Sequence, residues 1–324
     1  MKDWKLSETR PQFERIRSLP NQRVSKHLII ILLLAVAYWL CDQLGMFAVL
    51  LPIVLTSRLT GNPLKLESPG FMLIMLFLTV ISIILNILIC KLIERRTLRT
   101  MGITKHHCLR DYLTGAAVGL AMFSAVVGMC AATGAVKAGT PGTGTNIPMI
   151  IAFFVAFMIQ GFSEEFACRG FMMMSAGTCK NPWVGVIFNS LLFGAAHIGN
   201  EGATVSGVAN VALFGIVMSL FMLRTDSIWG PAALHTVWNW AQGNFFGLKV
   251  SGMDMGASIL HFEQTETAAW MNGGSFGLEG GLGTTIILVV VALILLFAVP
   301  QRKTEYPAIT ETPAEAAAGT SAEA

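Results

Sequence analysis

Long apolar runs recur along this chain, each of a length that a bilayer requires. A spanning helix needs about 20 mostly apolar residues. Eight segments approach or meet that length: 28–51, 71–93, 112–133, 148–173, 183–198, 207–223, 229–247 and 282–299. Only 13% of the residues are charged and 54% are hydrophobic, whereas soluble domains carry roughly 25% charge. These features predict an all-α fold, a polytopic membrane bundle of about eight transmembrane helices.

The basic residues orient the bundle. Lys and Arg concentrate in cytoplasmic loops of membrane proteins. With the N-terminus inside, 17 basic residues fall on the cytoplasmic side. Only four, Arg58, Lys65, Lys137 and Lys249, fall outside, and Arg169 lies within a helix. Both termini are therefore expected in the cytoplasm, in a plasma membrane of prokaryotic type. Trp183 and Trp229 stand near the cytoplasmic helix ends, where interfacial tryptophans are enriched.

The chain divides into six stretches on this reading. Residues 1–27 form a cytoplasmic segment, too long and polar to lead a cleaved signal peptide. Three helices fill 28–147, a polar-bearing core 148–247, an outer Gly-rich loop 248–281 and a last helix 282–303. The Ala-, Thr- and Glu-rich tail 304–324 is expected to be disordered. The run Gly139–Thr145 is not a phosphate-binding loop, because no Gly-Lys-Ser/Thr follows. The six cysteines have no framework spacing and read as free thiols. No nucleic-acid partner is expected.

Ionisable groups inside a membrane are costly, so each is a functional hypothesis. The fourth run holds Glu164, Glu165 and Arg169. The fifth holds Phe193 and His197, and the seventh His235 and Asn239. Glu165 and Arg169 are four apart, share a helix face and can pair. Glu164 points about 100° away, toward another neighbour. His235 and Asn239 share one stripe. Their depths, about 9–20 Å from the cytoplasmic helix ends, overlap. Glu164, His197, His235 and Asn239 are therefore expected to line one cavity open to the cytoplasm. His27, His106, His107 and His261 fall in loops and read as solvated. Taken singly, a membrane histidine is more often a hydrogen-bonding partner for a neighbouring helix.

Glu-Glu-x-x-x-Arg at 164–169, Phe-x-x-x-His at 193–197 and His-x-x-x-Asn at 235–239 together resemble the signature of the CPBP family. This is the CAAX prenyl protease type II, Abi and bacteriocin-processing group, and the resemblance covers about 148–247. It implies an intramembrane endopeptidase acting on a hydrophobic or membrane-associated peptide among lipids. Glu164 with His197 would activate a water, and His235 and Asn239 would stabilise the oxyanion. Glu165 and Arg169 would hold the electrostatics, with Phe193 in support.

A zinc-dependent reading remains open, because two histidines and a glutamate are a common catalytic zinc set. Its ligands would be Glu164, His197 and His235. No His-Glu-x-x-His is present, and a metal on Glu164 would leave no free carboxylate as base. A glutamate-activated water without an obligatory cofactor is the expectation. The rival readings are a non-proteolytic scaffold or immunity protein of the same fold, and a transporter. The inverted repeats and broken helices usual in transporters are not visible in the sequence.

Overall fold

A short polar side chain just ahead of an apolar run decides where four of the helices begin. Ser68 accepts from the Phe71 N–H, Asn146 from Met149, Asn181 from Val184 and Thr204 from Gly207. Each satisfies a backbone donor that the first helical turn leaves open. Pro69, Pro148 and Pro182 sit in the first turns, where a missing N–H does no harm.

The computed structural model describes residues 10–61, 64–65, 68–139 and 146–302. A short helix α1 (Pro11–Arg17) precedes α2 (Leu28–Leu59), α3 (Pro69–Ile93) and α4 (Cys108–Ala132). Then come α5 (Ile147–Cys179), α6 (Pro182–Ala196), α7 (Val205–Thr225), α8 (Trp229–Trp240) and α9 (Leu282–Phe297). The fold is a helical membrane bundle. Among the described residues five helices, α2, α3, α4, α5 and α7, are long and apolar enough to cross a membrane. α6 and α9 are shorter apolar helices. α8 is buried continuously from Gly230 to Asn239 and meets protein on every side.

Two helices run further than their apolar runs suggest. α2 continues to Leu59, and α5 continues past 173 to Cys179. Arg17 extends the second, because its guanidinium caps the Gly177 and Thr178 carbonyls at 3.0–3.2 Å. Inside α5 the chain widens into a π-helix over Phe166–Met173, immediately after Glu165. Such segments recur at functional sites.

Glycines bring α8 close to its neighbours. A Cβ at Gly115 or Gly119 of α4 would strike the backbone of Gly230 or Leu234, and one at Gly161 of α5 would press on Thr236. The spacing Gly115-x-x-x-Gly119 is the small-residue pattern that lets membrane helices pack backbone to backbone. α8 is thus clamped between α4 and α5.

One end of the bundle is closed by polar staples. Arg15 pairs with Asp226 at 2.8 Å and Arg302 with Asp111 at 2.6 Å. Gln12 and Gln301 both donate to the Leu223 carbonyl. Phe13 and Ile16 of α1 are fully buried there. At the opposite end, β1 (Val136–Ala138) pairs antiparallel with β2 (Phe262–Gln264). The Gly-rich loop therefore has ordered structure. Residues 140–145 of the Gly139–Thr145 run and the tail 304–324 lie outside the described residues. The six cysteines are free, and His27, His106, His107 and His261 are all exposed.

Candidate active site

The two adjacent glutamates of α5 diverge as helical geometry requires. Glu165 is fully buried, and its Oε1 accepts from Arg169 Nη1 at 3.0 Å. The same oxygen accepts from His235 Nδ1–H at 2.9 Å. Glu164 faces the other way, and Gln160 Nε2 donates to its Oε1 at 2.7 Å. Its Oε2 is buried without a hydrogen-bond partner, 3.6 Å from His235 Nε2. His235 therefore stands between both carboxylates, anchored by Glu165 and facing Glu164.

Gln160 ties the set together. It lies one helical turn before Glu164, and its Oε1 accepts from Asn239 Nδ2 at 3.2 Å. One amide thus orients the Glu164 carboxylate and the Asn239 side chain. Sequence reading omitted Gln160, although the spacing that pairs Glu165 with Arg169 also places Gln160 beside Glu164.

His197 ends α6. Its Nδ1–H donates to the Phe193 carbonyl at 2.8 Å, which leaves Nε2 with an open lone pair. The Phe193 ring meets the His197 ring at 4.8 Å and the His235 ring at 6.0 Å, edge-on in both cases. Arg169 lies 4.9 Å from the Phe193 centroid. Phe193 thus packs both imidazoles and covers the guanidinium with an aromatic face.

Glu164, His197, His235 and Asn239 all line one cavity of about 520 Å³. Its walls come from α2, α3, α5, α6, α7, α8 and α9 and from the loop residues Val250, Ser251, Met253 and Glu279. The loop end, not the stapled basic end, supplies these last residues. α6 is only 15 residues long, so His197, which caps its C-terminal end, already lies at the loop end. At the basic end Phe13 and Ile16 of α1 are buried, with Phe13 packed against Gly177. Exposed residues of α2 and α6, Val36, Trp39, Ala195 and Ala196, line the flank.

Asp42 and Glu279 also line the cavity, and sequence reading missed both. Asp42 of α2 accepts from Ser82 Oγ at 2.5 Å and Gln43 Nε2 at 3.4 Å. Its signal was visible: an aspartate inside the first apolar run. Glu279 sits in the Gly-rich loop and carries no such signal.

The donor types for zinc are present, since Glu164 Oε2, His197 Nε2 and His235 Nε2 each lack a hydrogen bond. They do not form a ligand set in this geometry. No three His, Cys, Asp or Glu side chains among the described residues are placed to hold a metal ion.

Residues 146–241 match a protein family described as Type II CAAX prenyl endopeptidase Rce1-like. A relative from Escherichia coli, described as "Uncharacterized 24.3 kDa protein", is 29% identical over 93 residues. That alignment covers 28% of this chain and 42% of the relative. No solved structure matches the chain. The family match spans α5 to α8 and contains every residue from Gln160 to Asn239 described above. Asp42 and Glu279 fall outside it.

Proposed function

We propose that this chain, whose segment 146–241 belongs to the type II CAAX prenyl endopeptidase family of the Rce1-like kind, is an intramembrane endopeptidase. It hydrolyses a peptide bond in a hydrophobic or membrane-associated segment. The observation that carries the reading is the pairing of Glu164 Oε2 with His235 Nε2 at 3.6 Å, within a cavity that can hold a peptide.

Glu164 takes a proton from a water held near its free oxygen, and His197 Nε2 accepts a second hydrogen bond from that water. The resulting hydroxide adds to the scissile carbonyl carbon. His235, carrying a proton at each ring nitrogen, donates Nε2–H to the oxyanion. The second Nδ2 hydrogen of Asn239 donates to it as well. Donors fixed before the reaction are worth most where water is excluded. Glu165 and Arg169 hold His235 in place, and Gln160 holds Glu164 and Asn239. When the tetrahedral adduct collapses, the C–N bond breaks and Glu164 returns its proton to the leaving amine.

The bundle is read with eight crossings and both termini cytoplasmic in a plasma membrane. The flank of exposed residues on α2 and α6 is the route by which an apolar substrate enters from lipid. The test is cleavage of membrane peptides by purified protein, with Glu164→Gln as control. Full activity in that variant removes Glu164 from catalysis. Stoichiometric zinc, with activity lost on chelation and restored on adding it back, replaces this mechanism with a zinc-bound one.

A further inference from the structure

The loop between α8 and α9 brings a carboxylate into the cavity that the proposed hydrolysis does not use. Glu279 is 9% exposed. The Ser251 backbone N–H and hydroxyl both donate to its Oε2, each at 2.8 Å. Its Oε1 has no hydrogen-bond partner among the described residues. The backbone beneath it is pinned. Asn210 of α7 donates to the Glu279 and Gly281 carbonyls at 2.8 and 3.0 Å, and Thr284 of α9 to the Leu278 carbonyl at 2.6 Å. Glu279 is therefore held by two helices of the bundle, although it belongs to a loop.

The charge around the cavity is one-sided. Asp42, Glu164 and Glu279 line it from α2, α5 and the loop. No Lys or Arg is among the described lining residues. Arg169 is fully buried against the Phe193 ring, bonded to Glu165 and outside the wall. Only His197 and His235 can carry positive charge there. Much of the remaining wall is apolar, with Phe157, Leu192, Phe214 and Trp238 among its residues. Glu279 Oε1 thus stands at a largely apolar wall without a protein donor among the described residues. A cationic group entering the cavity supplies it. An anionic group meets three carboxylates instead, and like-charge juxtaposition discriminates strongly against a partner.

We propose that Glu279 is a specificity-determining residue that selects peptide segments carrying a Lys or Arg side chain beside the scissile bond. The placement beside a scissile bond rests on the proposed proteolysis, and the charge preference does not. Burial pushes the Glu279 carboxyl up from its ordinary range, so a bound cation also draws it into the ionised form. Glu279 lies outside the segment that matches the family.

The experiment uses the full chain in lipid nanodiscs and three fluorescent apolar peptides, identical except for one lysine, norleucine or glutamate. Binding is measured on the Glu164→Gln variant, so that turnover does not interfere. The lysine peptide should bind at least about tenfold more tightly than the norleucine peptide, with the glutamate peptide weakest. In the Glu164→Gln, Glu279→Gln double variant the lysine-to-norleucine ratio should fall toward one. Glu279→Asp, which keeps the charge, should retain part of it. If the double variant does not fold, the ratio in Glu164→Gln alone decides. Equal binding of the three peptides, no binding, or a ratio that survives Glu279→Gln would overturn the proposal. Cleavage by the wild-type chain is read separately. Lysine-selective binding without turnover supports the charge preference and removes the proteolytic reading, and turnover without selectivity does the reverse.

Discussion

At the scale of single residues, the site works by giving neighbouring carboxylates different partners. Glu165 accepts from both Arg169 and His235 and has no solvent exposure. Replacing it with Gln leaves a buried guanidinium uncompensated, and losing one partner of a buried pair costs about 3–5 kcal/mol. We expect Glu165→Gln to lower the unfolding free energy by that order, read in a denaturant titration in mild detergent. Glu164→Gln should leave stability near wild type, since the amide can keep the bond to Gln160. A second residue-scale prediction concerns Glu279. Burial, the largest effect, raises its pKa above the ordinary 4.5, while the Ser251 bonds and nearby His197 pull it down. A raised folded pKa means that the stability contribution is full below 4.5 and is lost as pH rises through the folded value. Wild-type thermal stability should therefore fall relative to Glu279→Gln as pH increases. A constant difference between the two melting curves from acid to alkaline pH would contradict a desolvated carboxyl. The Glu165–Arg169 pair was legible in the sequence because an i, i+4 contact is local. The bond from His235 to the same carboxylate was not, because 70 residues separate the two.

At the scale of elements, α8 carries His235 and Asn239, so its placement sets the geometry of the site. Gly115 and Gly119 of α4 permit the close approach, and their added side chains would meet α8 backbone rather than a flexible side-chain end. Gly119→Leu should push α8 away from α4, weaken the His235–Glu165 contact and abolish cleavage. Gly128 of the same helix has open space where its Cβ would stand. Gly128→Ala should keep activity and raise stability by about 0.5–1 kcal/mol, the usual gain from replacing a mid-helix glycine. Paired activity and melting measurements check both. Full activity in Gly119→Leu would show that the α4–α8 contact does not position the site.

At the scale of the whole molecule, the described chain begins and ends at one end of the bundle. Gln12 and Gln301 share the Leu223 carbonyl there. The sheet made by β1 and β2 marks the other end. An even number of crossings follows if the bundle stands upright in the bilayer. A membrane-impermeant thiol reagent added to intact cells should therefore label an engineered Thr133→Cys and spare Ser18→Cys, both exposed positions. Labelling of Ser18→Cys from outside rejects the orientation. The sequence alone determined that this chain is a helical membrane protein, because hydrocarbon cannot solvate backbone polar groups and apolar runs of this length have little other use. It also determined which helices carry polar residues and which of those share a helix face, since both follow from local spacing. Only the tertiary structure decided which faces meet. That choice rests on backbone approaches at a few glycines and on hydrogen bonds between residues far apart in the chain, and neither leaves a periodic trace. Asp42 of α2 and Glu279 of the loop therefore join Glu164 in one cavity only once α2, α5, α7 and α9 have packed.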